Sequence, residues 1–242
     1  MRSKYFVLAA LMMTVFMLSS CDDHYALDAD VHNGYIMLSD GRIIRDTDYD
    51  PSCHTAVAVV FAEKTDEHPV LAVMLDECSS VAFSDTLSFV QGTSCKIDAF
   101  DGYVNTVALQ GTVIKRPVVV NESNASDPAN YYKSPLGLLA FRSHYHGQSD
   151  YVPSIAELRL LFRERDKVNA IIRLCGGTPI SDSAAGGGCW YWSSTEVSEN
   201  AGNQAWLISM TDGSIQKAPK TNSYNARLIV EYNGFYDSTT KK

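Results

Sequence analysis

Two stretches constrain the fold most, "AVAVVFAE" at residues 56–63 and "PVLAVMLDE" at residues 69–77. Both are continuously apolar, carry β-branched residues and end in polar turns, and both are far shorter than the ~20 residues of a membrane helix. Strands that do not alternate are buried on both faces.

The neighbouring segments carry their own signals. Upstream, "GYIMLSDGRIIRD" reads as two strands joined at Ser39-Asp40-Gly41, because Asp-Gly between apolar runs is a strong hairpin signal. Residues 84–110 mix helical and loop signals, and "DGYVNTVAL" predicts a helix beginning near Asn105. "VNESNASDPANYY" reads as a loop, and its two glycosylation sequons, at Asn121 and Asn124, are loop chemistry. In "YVPSIAELRLLF", Ser154 and Glu157 have capping-box spacing, and Ile155, Leu158, Leu161 and Phe162 form a helical stripe. The polar stretch Arg163–Lys167 either continues that helix or interrupts it; a further turn pattern through Val168, Ile171 and Ile172 ends at Gly176-Gly177. Beyond the loop "GGTPISDSAAGGG", the segments "CWYWSST", "QAWLISM", "GSIQKA" and "ARLIVEY" read as strands, two of them joined at Asp212-Gly213. Strands, then two main helices, then a terminal antiparallel sheet make an α+β fold with mixed or antiparallel sheets.

The N-terminus reads as an address. Arg2 and Lys4 precede an apolar run from Tyr5 to Leu18, which is the layout of a secretory signal. Leu18-Ser19-Ser20-Cys21 resembles the bacterial lipobox, which implies removal of residues 1–20 and lipidation of Cys21. Acyl chains at ~0.8 kcal/mol per buried CH2 would then hold the protein on a membrane without a spanning helix. Asp22 and Asp23 resemble a surface-export tag, which points to an outer-membrane lipoprotein on the cell surface; the alternative is a periplasm-facing one. Residues 21–31 form a polar tether, 32–233 a single domain and 234–242 a tail. A net charge of -8 without a basic patch argues against nucleic acid as partner.

The ordered motifs "YVPSIAEL", "AIIRLCGGTPI", "YWSSTE", "QAWLISMTDGSIQK" and "NARLIVEY" resemble the DUF1566 family, similar to the C-terminal domain of the Legionella collagen-like adhesin. The resemblance covers nearly all of residues 32–233. It implies a C-type-lectin-like fold, related to formylglycine-generating domains, in which the first and last strands pair. It also implies recognition of a glycan, a matrix polymer or another envelope protein. The calcium-binding Glu-Pro-Asn, Gln-Pro-Asp and Trp-Asn-Asp motifs of C-type lectins do not occur, so no metal and no cofactor is expected.

Candidate site residues follow. In "WYWSST", Trp190 and Trp192 fall on one side of a strand and Tyr191 on the other. Trp192 and Trp206 read as core aromatics, with the neighbouring hydroxyls serving the backbone. Trp190 reads as the exposed one. A ligand site would be built from Trp190, the loop with Ser181 and Asp182, and the loop with Glu199, Asn200 and Asn203. Tyr131, Tyr132, Tyr145 and Tyr151 form a second aromatic group. Cys175 and Cys189 bracket the glycine-rich loop, where a disulfide or two buried thiols are equally consistent. His144, His146 and Asp150 have spacing for a weak metal site and read better as a solvated loop. No GxSxG, HExxH or P-loop occurs, and the expected activity is binding, or a structural role in a surface fibre, without catalysis; the less favoured alternative, implied by the fold resemblance, is a formylglycine-generating-like enzyme with Cys175 and Cys189 as its nearest candidate pair.

Overall fold

The computed structural model describes residues 31–232, except 86, 88, 89, 91, 115–133, 146 and 147. The expected signal sequence with Cys21, most of the expected tether, the segment with both sequons and with Tyr131 and Tyr132, His146 and residues 233–242 lie outside the described residues.

Two five-stranded sheets organise the chain. In the first, β1 (Ile36–Leu38), β2 (Ile43–Ile44), β3 (Ala56–Ala62), β4 (Val70–Met74) and β12 (Ile229–Tyr232) run in the order β12-β4-β3-β1-β2. Every pairing in it is antiparallel. The second contains β5 (Cys78–Ala82), β8 (Trp190–Glu196), β9 (Gln204–Ser209), β10 (Ile215–Pro219) and β11 (Ser223–Ala226) in the order β10-β9-β8-β11-β5. It is mixed, because β11 runs parallel to β8. A short hairpin, β6 (His144–Tyr145) with β7 (Gln148–Ser149), forms a third sheet.

Both apolar runs behave as their sequence requires. Val59, Phe61, Leu71 and Val73 project into one core cluster, while Ala58, Val60, Val70, Ala72 and Met74 project into another. The first is closed by α3 (Ile155–Leu174) through Ile155, Leu158, Leu161, Val168 and Ile172. The second is closed by α1 (Gly102–Ile114) and α2 (Pro135–Arg142) through Leu109, Leu136 and Ala140, together with Trp192. Each large apolar side chain buried in this way contributes about 1.5–3 kcal/mol. The sheet is therefore sandwiched.

Helix α3 is continuous across Arg163–Lys167, because these polar residues lie on its solvent side while Val168 returns to the core. Its capping box is complete: the Glu157 backbone N–H donates to Ser154 Oγ at 3.4 Å, and the Ser154 N–H donates to Glu157 Oε2 at 2.6 Å. Three α-helices are described rather than two main ones, and α1 begins at Gly102, before Asn105. The first and last strands do not pair: β3 and β4 stand between β1 and β12. "ARLIVEY" is not one strand either, because Arg227 turns inward and separates β11 from β12.

That break has a consequence for the architecture. β4 leads into β5 and β11 leads into β12, and each member of one pair lies antiparallel to a member of the other. The four strands form one two-stranded ribbon that crosses from sheet to sheet, with Leu75–Glu77 facing Arg227-Leu228 at the crossing. The Met74 N–H still reaches the Leu228 carbonyl at 3.0 Å, and the ladder opens immediately beyond.

Candidate functional site

The aromatic and hydroxyl cluster at residues 190–195 is largely internal. Trp192 is fully buried, donates its indole N–H to the Val81 carbonyl at 2.9 Å, and meets Phe83 and Tyr224 edge-on. Tyr191 is buried on the other face in the α3 cluster. The hydroxyls serve neighbouring groups. Ser193 donates to the Trp206 carbonyl at 2.8 Å, and Thr195 accepts the Ile155 N–H at 3.2 Å, one of the amides left over at the start of α3. Ser194 accepts from Asn105 at 3.4 Å. Trp206 is only half-buried, with the Lys217 ammonium 5.3 Å from its ring centroid. Trp190 is half-buried too and packs against the core.

The loops expected to share a ligand lie at opposite ends of β8. Ser181 and Asp182 precede its start, beside Trp190; Glu199, Asn200 and Asn203 follow its end. A strand from Trp190 to Glu196 separates them by about 20 Å. Both loops are held internally. The Ser181 N–H donates to Tyr191 Oη at 2.7 Å, and the Asp182 carbonyl accepts from Thr211 at 2.6 Å. Asn203 donates to Asn200 at 2.8 Å, and Lys217 pairs with Glu199. The structure thus keeps these candidates as two separate surfaces.

Among the described residues none of the five cysteines is joined in a disulfide, so the bridge between Cys175 and Cys189 is absent. Cys189 is buried with its sulfur 3.9 Å from the Ser209 hydroxyl, while Cys175 caps α3 and packs on the α3 cluster. Asp150 is buried and accepts from Ser143 at 2.5 Å. Among the described residues no group of three or more His, Cys, Asp or Glu side chains is placed to hold a metal ion. Tyr151 is buried, and its hydroxyl lies 3.4 Å from Glu157 and 3.3 Å from Glu231.

The feature that sequence reasoning missed is a cleft of about 390 Å³ where the ribbon crosses between the sheets. Its walls come from five separated segments: Thr55–Val57, Met74–Cys78, Leu139 with Ser143, Cys175–Gly177, and Ala226 with Leu228. Seven of the fifteen lining residues carry aliphatic or methionine side chains, and none is aromatic. Its charged groups are the carboxylates of Asp76 and Glu77. Asp76 is exposed. Glu77 is held from beneath: the Tyr191 hydroxyl donates to it, and Arg227 Nη1 lies 4.0 Å away. Arg227 is itself buried, donates from Nη2 to the Thr178 carbonyl at 2.5 Å, and leaves Nε and Nη1 without hydrogen-bond partners. Burial lowers its pKa, and Glu77 pulls the other way.

Both thiols of the cleft hold their protons more firmly than a free cysteine does. Burial first, then the Glu77 charge, raises the Cys78 pKa, and burial pushes Cys175 up to about 11. No histidine lines the cleft to take a proton from either. What the walls offer is an apolar slot with an acidic edge.

No protein-family model matches the chain, and no curated protein sequence is similar to it. A solved structure of a fimbrial protein from Bacteroides ovatus is similar in fold, with a TM-score of 0.53 at 15% identity, over 84% of this chain and 49% of that one. This chain thus spans about half the length of that neighbour. No described helix is long and apolar enough to cross a membrane.

Proposed function

We propose that the protein is a lipid-anchored component of the bacterial surface that takes part in a fibre or envelope assembly through contacts with other proteins, without catalysis. The observation that carries this reading is the architecture shared with a fimbrial protein over 84% of the chain. The lipobox-like Leu18–Cys21 supports the address. Glycan adhesion through Trp190 is the weaker reading. Trp190 packs half-buried against the core, one of its two partner loops lies at the far end of β8, and the cleft has no aromatic platform for a sugar. The C-type-lectin-like assignment rests on the motif order alone, and the separation of β1 from β12 departs from it.

The test is to express the full chain and its Cys21→Ala variant in a Gram-negative host, fractionate the cells and treat intact cells with protease. The proposal expects membrane-bound, protease-accessible protein that Cys21→Ala releases from the membrane. Soluble native protein, or full protection in intact cells, would overturn the assigned address.

A further inference from the structure

We propose that the cleft at the sheet crossing binds a basic, otherwise aliphatic peptide segment of a partner protein. A lysine or arginine stem would pack on Val57, Met74, Leu75 and Leu228, and its charge would meet Asp76. This rests on the reading that the protein works through protein contacts.

Shape comes first. The cleft's volume of about 390 Å³ is enough for a few side chains and lies at the lower end of the range for small-ligand pockets. It opens where the two sheets diverge, so its walls belong to strands and helix ends rather than to one loop. Composition then selects the occupant. Aliphatic walls suit a methylene stem, which lysine and arginine bury while keeping the charged end near water. The absence of any aromatic lining residue removes the stacking surface that a sugar ring would use. Charge complementarity points the same way: the lining carries two carboxylates and no Lys, Arg or His.

The support beneath Glu77 is the most specific observation. Its side chain is 10% exposed, fixed by the Tyr191 hydroxyl and faced by an arginine that is wholly buried. Arg227 gives up hydration for its place there, with two nitrogens unpaired. Its charge offsets much of that on Glu77, so the attraction for an incoming cation falls mainly on exposed Asp76. Glu77 then serves as a fixed acceptor at the cleft edge. Asp76 supplies the charge.

Cys78 and Cys175 line the cleft, whereas Cys53 is exposed elsewhere, so the thiols report on occupancy. Detergent-solubilised full-length protein is treated with N-ethylmaleimide, and alkylation of each cysteine is followed by mass spectrometry. The probes are the capped peptides Ser-Leu-Lys-Leu-Ser and Ser-Leu-Glu-Leu-Ser, and chitotetraose. At about twice its dissociation constant a ligand slows labelling of covered groups about threefold. The proposal expects the lysine peptide to protect Cys78 and Cys175 but not Cys53, the glutamate peptide and the sugar to protect neither, and Asp76→Lys to remove the protection. Asp76 is exposed, so an unchanged melting temperature confirms that this variant is folded. Absence of protection, equal protection by both peptides, protection by the sugar, or protection that survives Asp76→Lys would overturn it. None of these outcomes touches the surface address, which the fractionation tests separately.

Discussion

Replacing Lys220 with Met removes one half of an ion pair that water does not reach. Lys220 and Glu196 are both fully buried, with Nζ and Oε1 2.5 Å apart and Nζ 5.2 Å from the centre of the Phe83 ring. Glu196 Oε2 has no hydrogen-bond partner, and burial raises the pKa of this carboxyl even with Lys220 pulling it down. Methionine keeps much of the volume and strands the carboxylate. Breaking such a pair costs about 3–5 kcal/mol, a large share of the ~5–15 kcal/mol that holds a typical domain folded. The double variant Lys220→Met, Glu196→Leu removes both charges and should recover most of the loss, so the coupling between the sites is the signature. The pH dependence has a definite sign. Without Lys220 the folded-state pKa of Glu196 rises further above its ordinary 4.5, so the single variant's deficit against the native protein is smallest below pH 4.5 and grows as pH rises through the folded value. Urea unfolding followed by tryptophan fluorescence, with Trp192 buried in the core, measures all three proteins. A single-variant loss below about 1 kcal/mol, or a double variant no better than the single, would refute the claim that this carboxylate is cut off from water.

Other predictions follow from the same structure. Burial, then the charges of Glu231 and Asp101, push the Glu157 carboxyl up to about 7, while its bond from Ser154 opposes them. Native stability should therefore fall as pH rises from about 4.5 to about 7, by an amount on the order of 3 kcal/mol, and Glu157→Gln should flatten that slope in urea titrations at stepped pH. Trp192→Ala should cost about 3–5 kcal/mol, whereas half-buried Trp190→Ala should cost about 1 kcal/mol, compared by thermal unfolding. Gly213 sits at φ +75°, and an added Cβ would lie 2.6 Å from Phe162 Cε1, so Gly213→Ala should lower stability by about 1–3 kcal/mol.

The elements with strong local signals were legible in the sequence. The Asp40-Gly41 turn, with φ 86° at Gly41, the runs β3 and β4 and the capped start of α3 all follow from local chemistry. β5 was hidden, since Cys78-Ser79-Ser80-Val81-Ala82 has little strand character, Ser80 has φ 60°, and pairing with β11 holds it in place. α2 left a readable trace: Ser134 caps the helix by accepting from the Gly137 N–H at 3.0 Å, and Pro135 stands at its start. The split of "ARLIVEY" was not legible, because a buried arginine runs against ordinary burial preferences and is explained only by the distant Glu77, Tyr191 and Thr178.

The candidate site was less legible than the fold. Trp190 and the two flanking loops looked like one surface because they are close in sequence, yet an extended strand sets them about 20 Å apart. The cleft, by contrast, gathers residues from Thr55 to Leu228, none of them conspicuous alone. Long-range strand pairing brings them together.

The central claim is that this chain belongs to a surface assembly. Its most direct test is to shear filaments from cells expressing the chain with a C-terminal epitope, purify them by density gradient, and probe both filaments and whole cells by immunogold electron microscopy. The account predicts label on the outer surface and co-purification of the protein with the filaments. Label confined to the periplasm, with none in the sheared fraction, would contradict it.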